Sequence, residues 1–276
     1  MINKDTKLCI SLAARPGNFG TFFHNYLYDK LELNYIYKAF TTSNLRDAIY
    51  GIKALGIRGC AISMPYKEAC IQYLDELDIS ASAIQSVNTI VNNDGHLKAY
   101  NTDFIAVEKL LKDSDIPTDT LFVLYGTGGM AKAALGALHE RGFKNGYVMG
   151  RNTEKAEALA SIYEYKHCSN KDRIIDAKLL INVTPIGMAG GAESEDLAFD
   201  KETIKRANTI FDVVALPVET PLIKEAIHQN KKVISGADVA VIQALEQFVL
   251  YTGVRPSVKL VKEASDFARE RVKAIG

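Results

Sequence analysis

The feature that most constrains the fold is a glycine-rich turn near the middle of the chain. An apolar run, Leu121–Tyr125, leads directly into Gly126-Thr-Gly128-Gly129-Met-Ala131, and an alanine-rich stretch follows. The apolar run is typical of a buried strand and the alanine-rich stretch of a helix. The first glycine permits a tight turn, and the small third residue lets the helix pack closely on the strand. The turn therefore predicts a doubly wound α/β sheet.

The same turn predicts a dinucleotide site, because its second glycine lets a pyrophosphate approach the backbone. The amides and the positive dipole end of the following helix then face the phosphates. A structural turn without a ligand is the alternative that stays open. The predicted contacts at the turn are Gly126, Thr127, Gly128, Gly129 and Met130.

The end of the next predicted strand, Gly146–Met149, indicates which dinucleotide is bound. NAD-binding proteins usually place a carboxylate there for the ribose 2′-hydroxyl. This chain has Arg151-Asn152-Thr153 instead. Because a guanidinium suits a 2′-phosphate, the pattern favours NADP, with these three residues as contacts. An Arg151 that only faces water is the alternative.

Apolar strands and helical stretches alternate along the chain, which is typical of crossover units in mainly parallel sheets. Leu8–Leu12, Tyr35–Phe40 and Gly59–Ile62 are predicted strands of a first sheet. A polar stretch, Asp113–Asp119, separates this region from the glycine turn. A chain of 276 residues fits two domains, so we expect two α/β domains joined near residues 102–118.

Charge and cysteine usage exclude several functional classes. The 33 basic and 33 acidic residues give a net charge of zero, so no overall field attracts nucleic acid or an anionic membrane. No apolar run reaches the roughly 18 residues of a membrane span, and the N-terminus lacks a signal core. The four cysteines and five histidines show no metal-site spacing. We therefore expect a cytoplasmic monomer or homodimer that binds a small molecule and no metal.

Two charged residues have unusual or suggestive positions. Pro65 suits the first position of a helix, which places Lys67 in the first turn, against the positive end of the helix dipole. Such an unfavourable cation is either functional or simply exposed to water. Asp103 opens another predicted helix, where an acid is favourable with or without a function.

Two amides and one histidine complete the set of candidates. Gln243 and Gln247 are four residues apart in a long predicted helix and therefore share one face, towards either a cleft or the solvent. His24 lies on the first predicted helix and is expected to be a structural histidine with its hydrogen bonds satisfied.

The order and spacing of these motifs resemble those of the shikimate dehydrogenase family from about residue 8 to residue 265. Four motifs resemble the signatures of that family's substrate domain: His24-Asn25, Ser63-Met-Pro65-Tyr-Lys67-Glu68, Ser86-Val-Asn88-Thr89 and Tyr100-Asn101-Thr102-Asp103. The others resemble signatures of its cofactor domain: the glycine turn, Arg151-Asn152-Thr153, Asn182-Val-Thr184-Pro185-Ile-Gly187-Met188, Asp212-Val213-Val214, Glu219-Thr220-Pro221-Leu222, and Gly236 with Gln243 seven residues later.

The resemblance implies reversible, NADP-linked reduction of 3-dehydroshikimate to shikimate. It implies that Lys67 moves the proton and Asp103 orients the reacting hydroxyl. It also implies that the last helices return to the first domain, so that residues 1–102 and 237–276 bind the substrate and residues 103–236 form a Rossmann domain. The further residues implied as contacts are Ser63, Asn88 and Gln243 for the ring hydroxyls, and Val213 and Gly236 for the cofactor.

One part of the family pattern is missing. The family's first motif usually reads Ser-x-Ser-Pro-x-x-His-Asn, and its two serines bind the substrate carboxylate, but here Asn18 and Gly20 stand in their places. A tyrosine that usually follows Asp-x-x is Ala215. Asn18 can replace one contact and Arg15 can add a stronger one. We therefore expect the chemistry to be intact and shikimate activity to be weak. A quinate or other cyclic polyol dehydrogenase, or a cofactor-binding sensor, are the alternatives.

Overall fold

The computed structural model describes residues 2–169 and 176–275. The chain divides into two compact units, Met1–Thr102 with Val241–Gly276, and Asp103–Ala240. Each unit contains one six-stranded sheet with helices, so the predicted α/β class is confirmed. The second division falls inside the helix Gly236–Thr252, between Ala240 and Val241, whereas the sequence suggested a division between residues 236 and 237, at the start of this helix.

The sheet of the first unit is mainly parallel. Its strand order is β2-β1-β3-β5-β6-β4, in which β1 runs parallel to β2 and β3, while β5 is antiparallel to β3 and β6. Asp94 and Gly95 form the turn of the β5–β6 hairpin with φ angles of 51° and 92°. The strands are β1 (Lys7–Leu12), β2 (Tyr35–Phe40), β3 (Gly59–Ile62), β4 (Glu76–Leu77), β5 (Thr89–Asn93) and β6 (His96–Tyr100).

The C-terminal helices belong to the first unit, as the resemblance implied. The rings of Phe22 in α1 and Phe267 in α11 pack edge to face, with their centroids 6.5 Å apart. Phe248 and Tyr251 of α10 are fully buried. Gly59 has no room for a side chain because the Tyr251 ring lies against it. The helices that contribute to this unit are α1 (Phe19–Lys30), α2 (Leu45–Ala54), α3 (Tyr66–Ala69), α4 (Ile79–Ser82), most of α10 (Gly236–Thr252) and α11 (Val258–Ile275).

The second unit is an all-parallel Rossmann sheet. When its six strands are numbered along the chain, their order across the sheet is 3-2-1-4-5-6, as in dinucleotide-binding domains. The strands are β7 (Phe122–Tyr125), β8 (Gly146–Met149), β9 (Lys166–His167), β10 (Leu179–Asn182), β11 (Thr209–Asp212) and β12 (Lys232–Ser235). The helices are α5 (Thr102–Asp113), α6 (Gly129–Glu140), α7 (Thr153–Ile162), α8 (Lys201–Arg206) and α9 (Pro221–His228).

The structure differs from the sequence prediction mainly in short elements. Helix α9 was missed, although Thr220 followed by Pro221 is a start signal: the Thr220 hydroxyl accepts a hydrogen bond from the Ile223 amide at 3.1 Å, and Pro221 opens the helix. Helix α1 begins at Phe19, three residues before the helical stretch Phe22–Leu31 that the sequence pattern predicts. No helix within the described ranges has the length and apolar character needed to cross a bilayer.

Candidate functional site

The glycine turn of the second unit has the geometry that close backbone approach requires. Gly126 has a φ of 138°, and a side chain there would collide with Val183. Gly128 caps α6, and neither Gly128 nor Gly129 has any atom within 4 Å of the position a Cβ would take. The turn is therefore an open cradle that a Cβ would partly fill.

This cradle opens onto a cavity of about 310 Å³. Three predicted residues of the turn, Gly126, Thr127 and Gly128, line it together with Arg151 and Asn152. Lys155 and Val183–Ile186 also line it, whereas Gly129, Met130, Thr153, Val213 and Gly236 do not. The structure thus brings five of the ten predicted cofactor contacts together around one cavity.

Arg151 is an exposed cation at the rim of this cavity. Its side chain is 75% exposed, and its guanidinium lies 3.6 Å from the Glu193 carboxylate. An ion pair this exposed is weak. Arg151 can therefore exchange Glu193 for a phosphate at little cost.

Substitution of Arg151 by alanine is expected to raise the dissociation constant for NADP about tenfold, because one charge-assisted contact to the 2′-phosphate is lost. The constant for NAD should stay within twofold. Glu193→Gln is the matched test of the competing pair and should tighten NADP by at most about fivefold. Titration of each cofactor by fluorescence measures both effects. Equal weakening of NAD and NADP by Arg151→Ala would contradict the role of Arg151.

A buried polar network joins the carboxyl ends of β10 and β11. The Asp212 carboxylate accepts hydrogen bonds from Asn182 Nδ2 at 3.0 Å, the Val214 amide at 3.1 Å and the Thr220 hydroxyl at 2.6 Å. Burial raises the pKa of Asp212, and these hydrogen bonds oppose that shift. The hydrogen bonds among Asn182, Asp212 and Thr220 therefore fix the segments at the carboxyl ends of the strands, where such folds bind ligands.

Val213 and Gly236 form a close contact at the same end of the sheet. A side chain at Gly236 would overlap the carbonyl groups of Val213 and Val214. The glycine is thus required for backbone packing between β11 and α10, whether or not it also contacts a cofactor.

In the first unit, Lys67 lies in the first turn of α3, as predicted, and is half-buried. That helix has only four residues, so its dipole is too small to support the argument made from the sequence. A backbone hydrogen bond gives a better reason to single out Lys67. The Lys67 carbonyl accepts a hydrogen bond from the Val87 amide at 2.8 Å, which ties Lys67 to the segment that carries Asn88.

Asn88 is buried and joins this segment to the start of α5. Its Oδ1 accepts a hydrogen bond from the Thr102 amide at 2.7 Å, and Asp103 follows Thr102 in the chain. Asn88 Nδ2 is buried and has no hydrogen-bond partner among the described residues. A buried donor left unpaired costs stability, and such groups are typical of ligand sites.

The other predicted ring-hydroxyl contacts, Ser63 and Gln243, belong to the same unit as Asn88. Ser63 follows β3 directly and is exposed, and its amide bonds to the Leu12 carbonyl at 2.9 Å. Gln243 is half-buried and lies on α10. Gln247, which the sequence marked only by its spacing from Gln243, is buried and donates hydrogen bonds to the Asn88 carbonyl and the Thr89 hydroxyl.

The segment that departs from the family pattern is open to solvent. Asn18 is the N-cap residue of α1, but its side chain makes no capping hydrogen bond. A Cβ at Gly20 would lie 3.5 Å from the Tyr37 hydroxyl, an ordinary contact. Arg15 is exposed, with no ion pair among the described residues. Ala215, in the second unit, is half-buried.

His24 differs from the expectation that its hydrogen bonds are satisfied. It is fully buried and stacks on Tyr37 with ring centroids 4.5 Å apart. Neither ring nitrogen has a hydrogen-bond partner among the described residues. Burial lowers the pKa of His24 to about 3, against the smaller, opposing effect of the nearby Gln247 amide. The imidazole is therefore neutral near pH 7.

No group of three or more His, Cys, Asp or Glu side chains in the described ranges is arranged to hold a metal ion. The four cysteines, all of them described, are buried and none of them forms a disulfide bond. Burial raises the pKa of Cys9 to about 12, so its thiol is protonated at neutral pH.

Comparison with known proteins identifies the family. The family model of the shikimate dehydrogenase substrate binding domain matches residues 20–90. The shikimate dehydrogenase-like protein of Haemophilus influenzae is 54% identical over 98% of this chain and 100% of its own length. The shikimate dehydrogenase (NADP(+)) of Methanocaldococcus jannaschii is 36% identical over 96% and 98%, respectively. The quinate dehydrogenase from Corynebacterium glutamicum in complex with NAD has a TM-score of 0.87 at 25% identity, covering 96% of this chain and 99% of that one. The chain therefore belongs to the shikimate dehydrogenase family.

Proposed function

We propose that the protein is an NADP-dependent oxidoreductase that interconverts shikimate and 3-dehydroshikimate, or a close cyclic hydroxy acid and its ketone. The observation that carries the proposal is the buried, unpartnered Nδ2 of Asn88, which lies in a segment bonded to the backbone of Lys67. The oxygen of a ring hydroxyl or a ketone can accept a hydrogen bond from this NH₂ group. Membership of the family supplies the reaction type.

Each residue of the proposed site has one task. Bound NADP(H) supplies hydride exchange at the ring carbon that carries the reacting oxygen. Lys67 donates the proton to that oxygen during reduction and accepts it during oxidation. Asp103 orients the hydroxyl. The proposed ring-hydroxyl contacts are Ser63, Asn88 and Gln243, and the proposed carboxylate contacts are Asn18 and Arg15.

The second unit has features that suit NADP. The open positions at Gly128 and Gly129, the free amides at the start of α6 and the cation Arg151 match the pyrophosphate and 2′-phosphate. Of these groups, Gly128 and Arg151 line one cavity, and α6 begins directly after Gly128. We propose that the phosphates bind along this cradle.

Gly128→Ala is expected to weaken NADP binding at least tenfold, because the added methyl group occupies the space that a pyrophosphate needs next to the backbone. The unfolding midpoint should hardly change, since a Cβ at Gly128 meets no atom within 4 Å. Gly51→Ala is the matched control: it lies inside α2 with equal free space and should leave NADP binding unchanged. Unaltered NADP affinity in Gly128→Ala would remove the cradle from the proposed cofactor site.

The proposed reaction is tested with a substrate panel at saturating NADP⁺. NADPH formation is followed at 340 nm with shikimate, quinate and cyclic polyols without a carboxylate. Turnover of at least one ring substrate, abolished by Asp103→Ala, supports the proposal. The altered residues Gly20 and Ala215 favour a substrate other than shikimate as the best one. Tight NADP binding without turnover of any ring substrate would instead support the alternative of a cofactor-binding sensor.

A further inference from the structure

The hydrogen bonds around Asn88 have a fixed direction. A backbone N–H can only donate, so the Asn88 atom that lies 2.7 Å from the Thr102 amide must be the oxygen of the side-chain amide. The Thr102 hydroxyl lies 3.1 Å from the same oxygen. The other end of the amide is therefore the NH₂ group, and this group has no acceptor among the described residues.

Gln247 sets the direction of the next bond. Its side-chain nitrogen lies 3.2 Å from the Asn88 carbonyl, which can only accept, and 3.0 Å from the Thr89 hydroxyl. Because the Thr89 oxygen accepts from Gln247, its single proton is available for Asn88 Oδ1 at 2.8 Å. A directed chain thus runs from Gln247 through Thr89 to Asn88.

This chain leaves the Asn88 side chain one available orientation. Its oxygen receives hydrogen bonds from Thr89 and Thr102, and a flipped amide would place NH₂ against the Thr102 amide, donor against donor. Flipping would therefore leave a backbone donor unpaired in a buried place, which is costly. Gln247 also lies one turn after Gln243 on the same face of α10. Its hydrogen bond to Thr89, the first residue of β5, keeps that face of α10 next to β5.

We propose that Thr89, Thr102 and Gln247 are positioning residues that lock the Asn88 amide with its NH₂ group toward the substrate, so that the site requires an acceptor oxygen there. The inference rests on the proposed function, because it needs a ring substrate to meet Asn88. It adds a specificity rule: a ring that presents carbon or an obligate donor at this position is rejected.

The test compares Thr89→Val with Thr89→Ser, and Gln247→Met with Gln229→Met. Valine keeps the shape of threonine without its hydroxyl, whereas serine keeps the hydroxyl. Gln229 ends α9 and loses comparable side-chain hydrogen bonds outside this network. The measurements are kcat and KM on the best ring substrate, the dissociation constant for NADP⁺ and the unfolding midpoint.

Thr89→Val and Gln247→Met are expected to raise KM about five- to tenfold, the scale of one misdirected hydrogen bond. Thr89→Ser and Gln229→Met should stay within twofold, and NADP⁺ binding should be unchanged in all four variants. In an Asn88→Ala background, Thr89→Val should have no further effect on kcat/KM, because no amide remains to be held. If Asn88→Ala does not fold, Asn88→Asp serves instead, since its two oxygens make orientation irrelevant.

Two results would overturn the inference alone: wild-type kinetics in Thr89→Val and Gln247→Met, or a full Thr89→Val effect that persists without the Asn88 amide. A wild-type protein that turns over no ring substrate and binds none in calorimetry would instead overturn the proposed function, and this inference with it. The wild-type measurement therefore separates the two failures.

Discussion

Lys67→Ala is expected to lower kcat by about 10²–10⁴-fold on any ring substrate that the wild-type protein oxidises. This is the usual contribution of a positioned acid–base group. Lys67 is half-buried, and its carbonyl is bonded to the segment that carries Asn88, so its position is fixed by the fold. KM should change less than kcat, because the proposed ring-hydroxyl contacts, Ser63, Asn88 and Gln243, are unaltered. Steady-state kinetics at saturating NADP⁺ give both constants.

The matched control for this prediction is Lys53→Ala. Lys53 lies on α2 of the same unit and pairs with Asp75 at 3.1 Å near the surface. Its loss should leave kcat within twofold. NADP⁺ affinity should be unchanged in both variants. If Lys67→Ala turns over the best substrate at the wild-type rate, another group moves the proton and the catalytic assignment of Lys67 is wrong.

The Rossmann sheet was predictable because its signals are local. A buried strand, a glycine turn and an alanine-rich helix follow one another within about twenty residues, and each constrains the next. Helix α9 was also open to prediction, since Thr220-Pro221 is a local start signal. The short strands β4 and β9 have two residues each and are defined only by their neighbours in the sheet.

The candidate substrate site was only partly predictable, because its key contacts join distant residues. The hydrogen bond from Gln247 to Asn88 spans 159 positions of the chain, and no local pattern encodes it. The sequence marked Lys67 through a helix dipole, yet α3 is a single turn and the true anchor is the Val87 amide. Gly236 was assigned to the cofactor through the family resemblance, whereas the structure shows a packing reason for the glycine.

Restoring the family's carboxylate contacts should raise kcat/KM for shikimate. The change is the triple substitution Asn18→Ser, Gly20→Ser and Ala215→Tyr. Two hydrogen bonds to a charged carboxylate amount to about 3–6 kcal/mol, which water or Arg15 partly offsets in the present protein. We therefore expect a gain of about 10²-fold, mainly through a lower KM. The effects of the three changes need not add.

The first unit can accept two of these changes without strain. A Cβ at Gly20 only touches the Tyr37 ring and hydroxyl, and Asn18 has no capping hydrogen bond to lose. The control is the triple Asn18→Ala, Gly20→Ala and Ala215→Phe, which adds similar bulk without hydroxyl groups and should give no gain. A wild-type kcat/KM for shikimate near 10⁵ M⁻¹s⁻¹, an ordinary enzyme's level, would mean that the carboxylate is already well held. Arg15→Ala should then lower that value, because the guanidinium of Arg15 is the strongest donor among the proposed carboxylate contacts.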